Sequence, residues 1–259
     1  MSFTDLIDGA RRTDTGFALG IPETWHQGRT AYGGFSASLA LAASRMLADD
    51  LPPLRSAQIS YVGPLFGTAE VSARMLRRGR NASWVNAEIV NEKGVGLTAT
   101  FVFMGPVQSA LAFNDSAPPD DVIACDEASV FDNPHAPQFI ANNFEQKFAV
   151  PRTEAKQPRV TWWARQKNPG RMDPMADVLM CADALPPGVM PMLGRGVPVS
   201  TMQWQVNLLT AEPRTRDGWW LLQAEADYAE NGCSSQRMMI WNADGEPIAA
   251  GKQSVAVFG

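Results

Sequence analysis

The chain has 259 residues, is 45% hydrophobic and 19% charged, and carries a net charge of −5. That composition fits one large or two small globular domains and excludes a general nucleic-acid or membrane-surface binder, which needs a positive face. Three widely spaced cysteines, Cys125, Cys181 and Cys233, make no metal or disulfide framework, and no run of about 18 apolar residues is present to span a membrane. A reducing, cytoplasmic setting without a signal peptide is expected.

In chain order, residues 16–26 read as one or two short strands before a turn at Gln27-Gly28. Tyr32-Gly33-Gly34 then opens a segment, Phe35 to Leu47, that is rich in Ala, Leu and Ser and nearly free of charge. Apolar all round, it predicts a fully buried helix. Pro52-Pro53 breaks the chain, and four strands follow. Ser56–Tyr61 alternates, with Ala57, Ile59 and Tyr61 on one face; Ala69–Leu76 is weaker; Trp84–Val90 and Leu97–Met104 flank the turn Asn91-Glu92-Lys93-Gly94.

Residues 106–137 are proline-rich and polar, the mark of a linker or surface excursion. Order resumes near Phe139–Val150 and Val160–Arg165. Asp173 and Pro174 suit the cap and first position of a helix running to Leu185, which Pro186-Pro187 ends. Four strands close the chain: Thr201–Leu208, Trp219–Tyr228, Ser234–Trp241 and Ile248–Phe258, the last two joined at Asn242-Ala243-Asp244-Gly245.

The two halves share one plan: short strands, a buried helix, then four antiparallel strands. Asn91 and Asn242 lie 151 residues apart, as do Gly94 and Gly245. This predicts an internal duplication of two long units. The expected fold class is α+β, a double hotdog in which two sheets, each wrapped around one helix, join edge to edge. The expected boundaries are 1–106 for the first repeat, 107–138 for the connection and 139–259 for the second repeat.

Several residues stand out chemically. Asp183 falls on the apolar face of the second helix with Ala176, Leu179 and Met180, where a carboxylate is either a satisfied structural acid or a catalytic one. Gln253 shares a strand face with Val255 and Val257. Strict alternation puts Ser200, not Thr201, on the face of Met202 and Trp204. Gly33-Gly34 offers either free amides for an oxyanion or tight helix packing. Arg77, Arg78 and Arg80 read as a solvated turn or as a phosphate contact. His26 and His135 are the only histidines. No metal-ligand cluster, Gly-x-Ser-x-Gly, P-loop or dinucleotide fingerprint is present.

The chain resembles the acyl-CoA thioesterase II (TesB-like) double-hotdog family over nearly its whole length. Three features carry the resemblance: Gly33-Gly34 before the Ala-rich helix and Leu54-Arg55-Ser56; Met180-Cys181-Ala182-Asp183 followed by Val199-Ser200-Thr201; and Ala249-Ala250-Gly251-Lys252-Gln253. It implies hydrolysis of acyl-CoA without cofactor or metal, with Asp183, Thr201 and Gln253 holding the attacking water. It also implies a homo-oligomer, a dimer of double hotdogs. The rival readings are a non-catalytic acyl-CoA-binding hotdog and an enoyl-CoA hydratase or dehydratase, for which only His26 could serve. Aligning the halves sets Asp183, Thr201 and Gln253 opposite Ala43, Ala57 and Val102, which predicts one active site per chain.

Overall fold

The computed structural model describes residues 2–131, 136–151, 153–194 and 196–259. The first half contains α1 (Phe3–Asp8), β1 (Arg11–Thr13), β2 (Gly16–Gly20), the short pair β3 (His26–Gln27) and β4 (Thr30–Ala31), α2 (Gly33–Arg45), β5 (Leu54–Tyr61), β6 (Thr68–Arg78), β7 (Ala82–Asn91) and β8 (Gly94–Met104). After the connection come α3 (Gln138–Asn143), β9 (Phe144–Phe148), β10 (Arg159–Gln166), α4 (Pro174–Ala182), β11 (Val199–Leu208), β12 (Trp220–Glu230), β13 (Cys233–Asn242) and β14 (Pro247–Val257).

Twelve of these strands form one antiparallel sheet in the order β1-β2-β6-β7-β8-β5-β11-β14-β13-β12-β10-β9. The order is a palindrome of two repeats: β2, β5, β6, β7 and β8 stand where β10, β11, β12, β13 and β14 stand in the other half. The seam is β5 against β11, with Ser56–Ser60 paired to Gln203–Asn207. This is the double hotdog, its two sheets joined edge to edge.

Each half wraps a helix. α2 is buried on almost every side, as its sequence, uncharged before Arg45, requires, and packs on β6, β7 and β8. α4 packs on β10 and β12. The two helices lie side by side and antiparallel, held by Tyr32 Oη donating to the Met180 carbonyl at 2.7 Å and Ser38 Oγ to the Ala176 carbonyl at 3.0 Å. Their approach is close because Gly34 has no side chain: a Cβ there would stand 2.8 Å from the Met180 carbonyl oxygen. Asp173 caps α4 through the Met175 amide with Pro174 at the first position, as expected. The helix stops at Ala182, three residues short of the expected Leu185, so Asp183 is its C-cap residue and not part of its face.

The expected linker forms a covering. Its residues 122–128 lie over the outer face of the second sheet, where Cys125 and Ala128 pack with Trp163, Trp219, Leu221 and Trp241. Two indole N–H groups bind it: Trp163 Nε1 donates to the Ile123 carbonyl at 2.9 Å and Trp241 Nε1 to the Ser116 carbonyl at 2.6 Å. The outward tryptophans of this half are therefore a second apolar layer. Among the described residues no helix is long and apolar enough to cross a membrane.

Candidate active site

A cavity of about 740 Å³ lies between the halves, within the usual range for small-molecule sites. Its walls come from the β3–β4 hairpin, the α2 start, the end of β5 and the residues after it in the first repeat, from the end of the connection with α3, and from β9, β10, the α4–β11 segment and β14 in the second. Asp183, Thr201, Gln253 and Gly33 all line it, together with Ser200 and Tyr61. Much of the remaining wall is apolar, including Leu65, Phe139, Ile140, Trp162 and Leu185.

Asp183 is fixed from two sides. Gln253 Nε2 donates to its Oδ1 at 3.1 Å, and the Gly34 backbone also hydrogen-bonds it. Burial lifts its carboxyl from 3.8 to about 7, and these two hydrogen bonds pull only partly the other way. Its Oδ2 lies so close to Gly33 that a Cβ there would meet it at 2.5 Å. Of the expected glycine pair, Gly33 lines the cavity, and the Gly34 backbone is among the groups that favour the charged form of Asp183.

Gln253 is itself oriented from behind. Gln236 Nε2 donates to Gln253 Oε1 at 2.6 Å, and Gln236 Oε1 accepts from the Gly188 amide at 2.7 Å. The chain from Gly188 through Gln236 and Gln253 to Asp183 leaves the Gln253 amide nitrogen one direction to point. Gln236 escaped the sequence reading, though it alternates inward with Met238 and Ile240, and an amide in that company is a visible signal.

Thr201 reaches the inner face through a β-bulge. In the β11–β14 ladder Thr201 pairs with Val255, but the next pair is Gln203 with Ser254, so Met202 is the extra residue. Paired residues share a face, and Trp204 pairs with Gln253. The bulge therefore turns Thr201 to the side of Gln253 and Trp204 and leaves Ser200 exposed. Strict alternation predicts the reverse.

Tyr61 is the other missed residue. Its alternation with Ala57 and Ile59 reads as core packing. Its hydroxyl is buried without a hydrogen-bond partner, and its ring lies against Gly33. Burial first, then the Asp183 charge, pushes the phenol well above its ordinary range, so it remains a donor. A second buried acid, Asp177, is a structural one: Gln166 Nε2 at 2.6 Å and Trp220 Nε1 at 3.0 Å satisfy it away from the cavity.

Among the described residues the cavity lining holds no histidine. His26 lies in β3 with its Nε2 buried, and His135 lies outside the described residues. Arg77 and Arg78 end β6, Arg77 over the Trp84 ring and Arg78 bonded to Asp50, and neither lines the cavity. No group of three potential metal ligands occurs among the described residues.

The chain is similar over nearly its full length to several solved structures. A hot-dog-fold protein of Alicyclobacillus acidocaldarius superposes with a TM-score of 0.89 at 20% identity, covering 99% of this chain and 98% of that one. A tesB protein of Mycobacterium avium subs paratuberculosis gives 0.74 at 17% identity, covering 99% of both chains. An acyl-CoA thioesterase II of Mycobacterium marinum gives 0.73 at 14% identity, covering 99% and 98%. At such identities the likeness is one of fold. Among curated proteins no sequence matches. Two family models do: the acyl-CoA thioesterase N-terminal domain over residues 21–104 and the C-terminal domain over residues 115–257. With both domains of the family present in order along one chain, the protein belongs to the acyl-CoA thioesterase family.

Proposed function

We propose that the protein hydrolyses an acyl-CoA to a free acid and coenzyme A, using water activated by Asp183. The observation that carries this reading is a carboxyl lifted to about 7 by burial, held by Gln253 and Gly34 at the wall of a largely apolar cavity. A base poised near neutrality is matched to abstracting a proton from water. The apolar wall suits an acyl chain.

In this mechanism Thr201 and Gln253 orient the water, and Asp183 takes its proton as the oxygen attacks the thioester carbonyl. Negative charge moves to the carbonyl oxygen, where the unpartnered Tyr61 hydroxyl is a donor within the same cavity. Collapse of the intermediate breaks the carbon–sulfur bond. The proton held by Asp183 passes to the leaving thiolate, which restores the carboxylate. No metal or cofactor is needed, because a thioester is already an activated acyl group.

The test is a panel of acyl-CoAs mixed with the protein and a thiol reagent. Release of free thiol that requires Asp183 supports the reading. Binding without thiol release points to a sensor, and loss of enoyl absorbance without thiol points to a hydratase.

A further inference from the structure

We infer that Arg29 is the phosphate anchor of this site, the residue that grips coenzyme A by a phosphate while the thioester lies at Asp183; this rests on the thioesterase reading. Among the described residues lining the cavity, Arg29 is the one cation and Asp183 the one acid. Asp183 is buried, whereas Arg29 is exposed. One cavity is thus bordered by a buried acid and an exposed cation, the two charges that an acyl thioester joined through a pantetheine arm to a phosphorylated nucleotide would meet.

The setting of Arg29 is built. It sits in the two-residue turn Gly28-Arg29 of the β3–β4 hairpin, where Gln27 pairs with Thr30 and His26 with Ala31. Gly28 takes a φ of 67°, which the turn needs and glycine supplies. The hairpin is tied to the end of the β5–β6 connection: Thr30 Oγ1 accepts from the Leu65 amide at 2.9 Å, and the Ala31 amide donates to the Leu65 carbonyl at 2.6 Å. A tethered turn presents its arginine at a fixed place. Many of the protein's other arginines are spent on acids: Arg45 on Asp173, Arg78 on Asp50, Arg159 on Asp121, Arg165 on Glu145 and Arg237 on Asp227. Arg29 has no acidic partner among the described residues. On a chain of net charge −5, a polyanion is repelled unless a local cation receives it. The guanidinium fork matches phosphate geometry.

Steady-state kinetics on acyl-CoA, on the same acyl group carried by 4′-phosphopantetheine, and on the phosphate-free acyl-pantetheine test the assignment. Arg29→Ala is expected to raise KM for acyl-CoA roughly tenfold, the worth of one charge-assisted hydrogen bond, with a smaller change in kcat. The KM for acyl-pantetheine should move less than twofold, and Arg29→Lys should recover part of the loss. A rise with acyl-phosphopantetheine as well assigns the phosphate on the pantetheine arm. A rise with acyl-CoA alone assigns a phosphate of the nucleotide. An unchanged KM for acyl-CoA in Arg29→Ala, or an equal rise for acyl-pantetheine, overturns the proposal. Calorimetry with free coenzyme A separates the two readings: if the wild-type protein hydrolyses no acyl thioester yet loses coenzyme A affinity in Arg29→Ala, the thioesterase reading fails and the anchor stands.

Discussion

Arg45 and Asp173 close, at one end of the paired helices, the place that Gly33 and Asp183 leave open at the other: Arg45 Nε lies 2.9 Å from Asp173 Oδ2. Arg45 ends α2 and Asp173 caps α4, so the pair is the counterpart of the site under the two-fold relation of the repeats. A concavity exists there, lined by Arg45, Leu51, Pro53, Asp173 and residues 211–214. Arg45 fills part of it, donating also to the Leu51 and Pro52 carbonyls and lying over the Phe103 ring at 4.9 Å. One functional site per chain is the expected outcome. A non-hydrolysable acyl-CoA titrated by calorimetry should saturate at one per chain, and Arg45→Ala should leave that number unchanged.

Asp183→Asn should lower turnover by roughly a hundredfold or more, as for a lost base. Its effect on stability has the opposite sign. Because burial raises the folded-state carboxyl above its unfolded value of 3.8, the folded protein binds the extra proton between 3.8 and about 7. Stability contributed by Asp183 therefore falls as pH rises through that window, by at most ~4 kcal/mol. Asparagine carries no such cost, so the variant should melt no lower than the wild type at pH 8 and gain nothing near pH 4. In the wild type, kcat/KM should rise with pH to a plateau with its midpoint near 7, since the carboxylate is the active form.

The bulge at Met202 separates two adjacent hydroxyls. Thr201→Val should reduce turnover by roughly tenfold, the worth of one lost hydrogen bond to the water, while Ser200→Ala should change it less than about twofold. Equal effects would mean that the bulge does not select between them. The comparison uses kcat at saturating substrate, with melting curves as a control on folding.

Gly33→Ala should inactivate without a large effect elsewhere. The added methyl would meet Asp183 Oδ2 at 2.5 Å and the Tyr61 ring at 3.1 Å, displacing both groups. Gly20→Ala meets nothing within 4 Å and serves as the control. Activity and near-ultraviolet circular dichroism of the two variants check this.

Gln236→Leu should act at a distance. It leaves the Gly188 amide without its partner and frees the Gln253 side chain to turn. The orphaned amide costs ~1–3 kcal/mol in stability. Turnover should fall by roughly five- to tenfold if about one net hydrogen bond of positioning is lost. Denaturant unfolding and steady-state assays read the two effects separately.

The fold was largely legible because its signals are periodic. The uncharged run after Gly34 and the alternation in strands such as Ser56–Tyr61 report burial directly. The site was legible where a polar residue stands among apolar ones, as with Asp183 and Gln253. It was illegible where one residue changes the count. Met202 reverses the parity of Thr201, and the first half has the matching bulge, since Leu54 pairs with Phe103 and Ser56 with Val102. With both bulges aligned, Thr201 corresponds to Leu54 and not Ala57. Gln253 corresponds to Phe101 and not Val102, because Phe101 pairs with Val85 as Gln253 pairs with Gln236. The counterparts remain apolar, so the asymmetry of the halves survives the corrected alignment. Tyr61 was hidden for a different reason: an aromatic at a core position announces its ring and conceals its hydroxyl.

The seam between the repeats also has a history in each molecule's making. β5 is complete early, but its partner β11 comes from residues 199–208, after most of the chain has been synthesised. Until then the nascent first repeat presents a bare strand edge beside a helix, α2, whose outward face later meets α4. Such an edge is a template for pairing with the wrong strand. When β11 forms it covers that edge, so the second repeat completes the sheet of the first as well as the cavity.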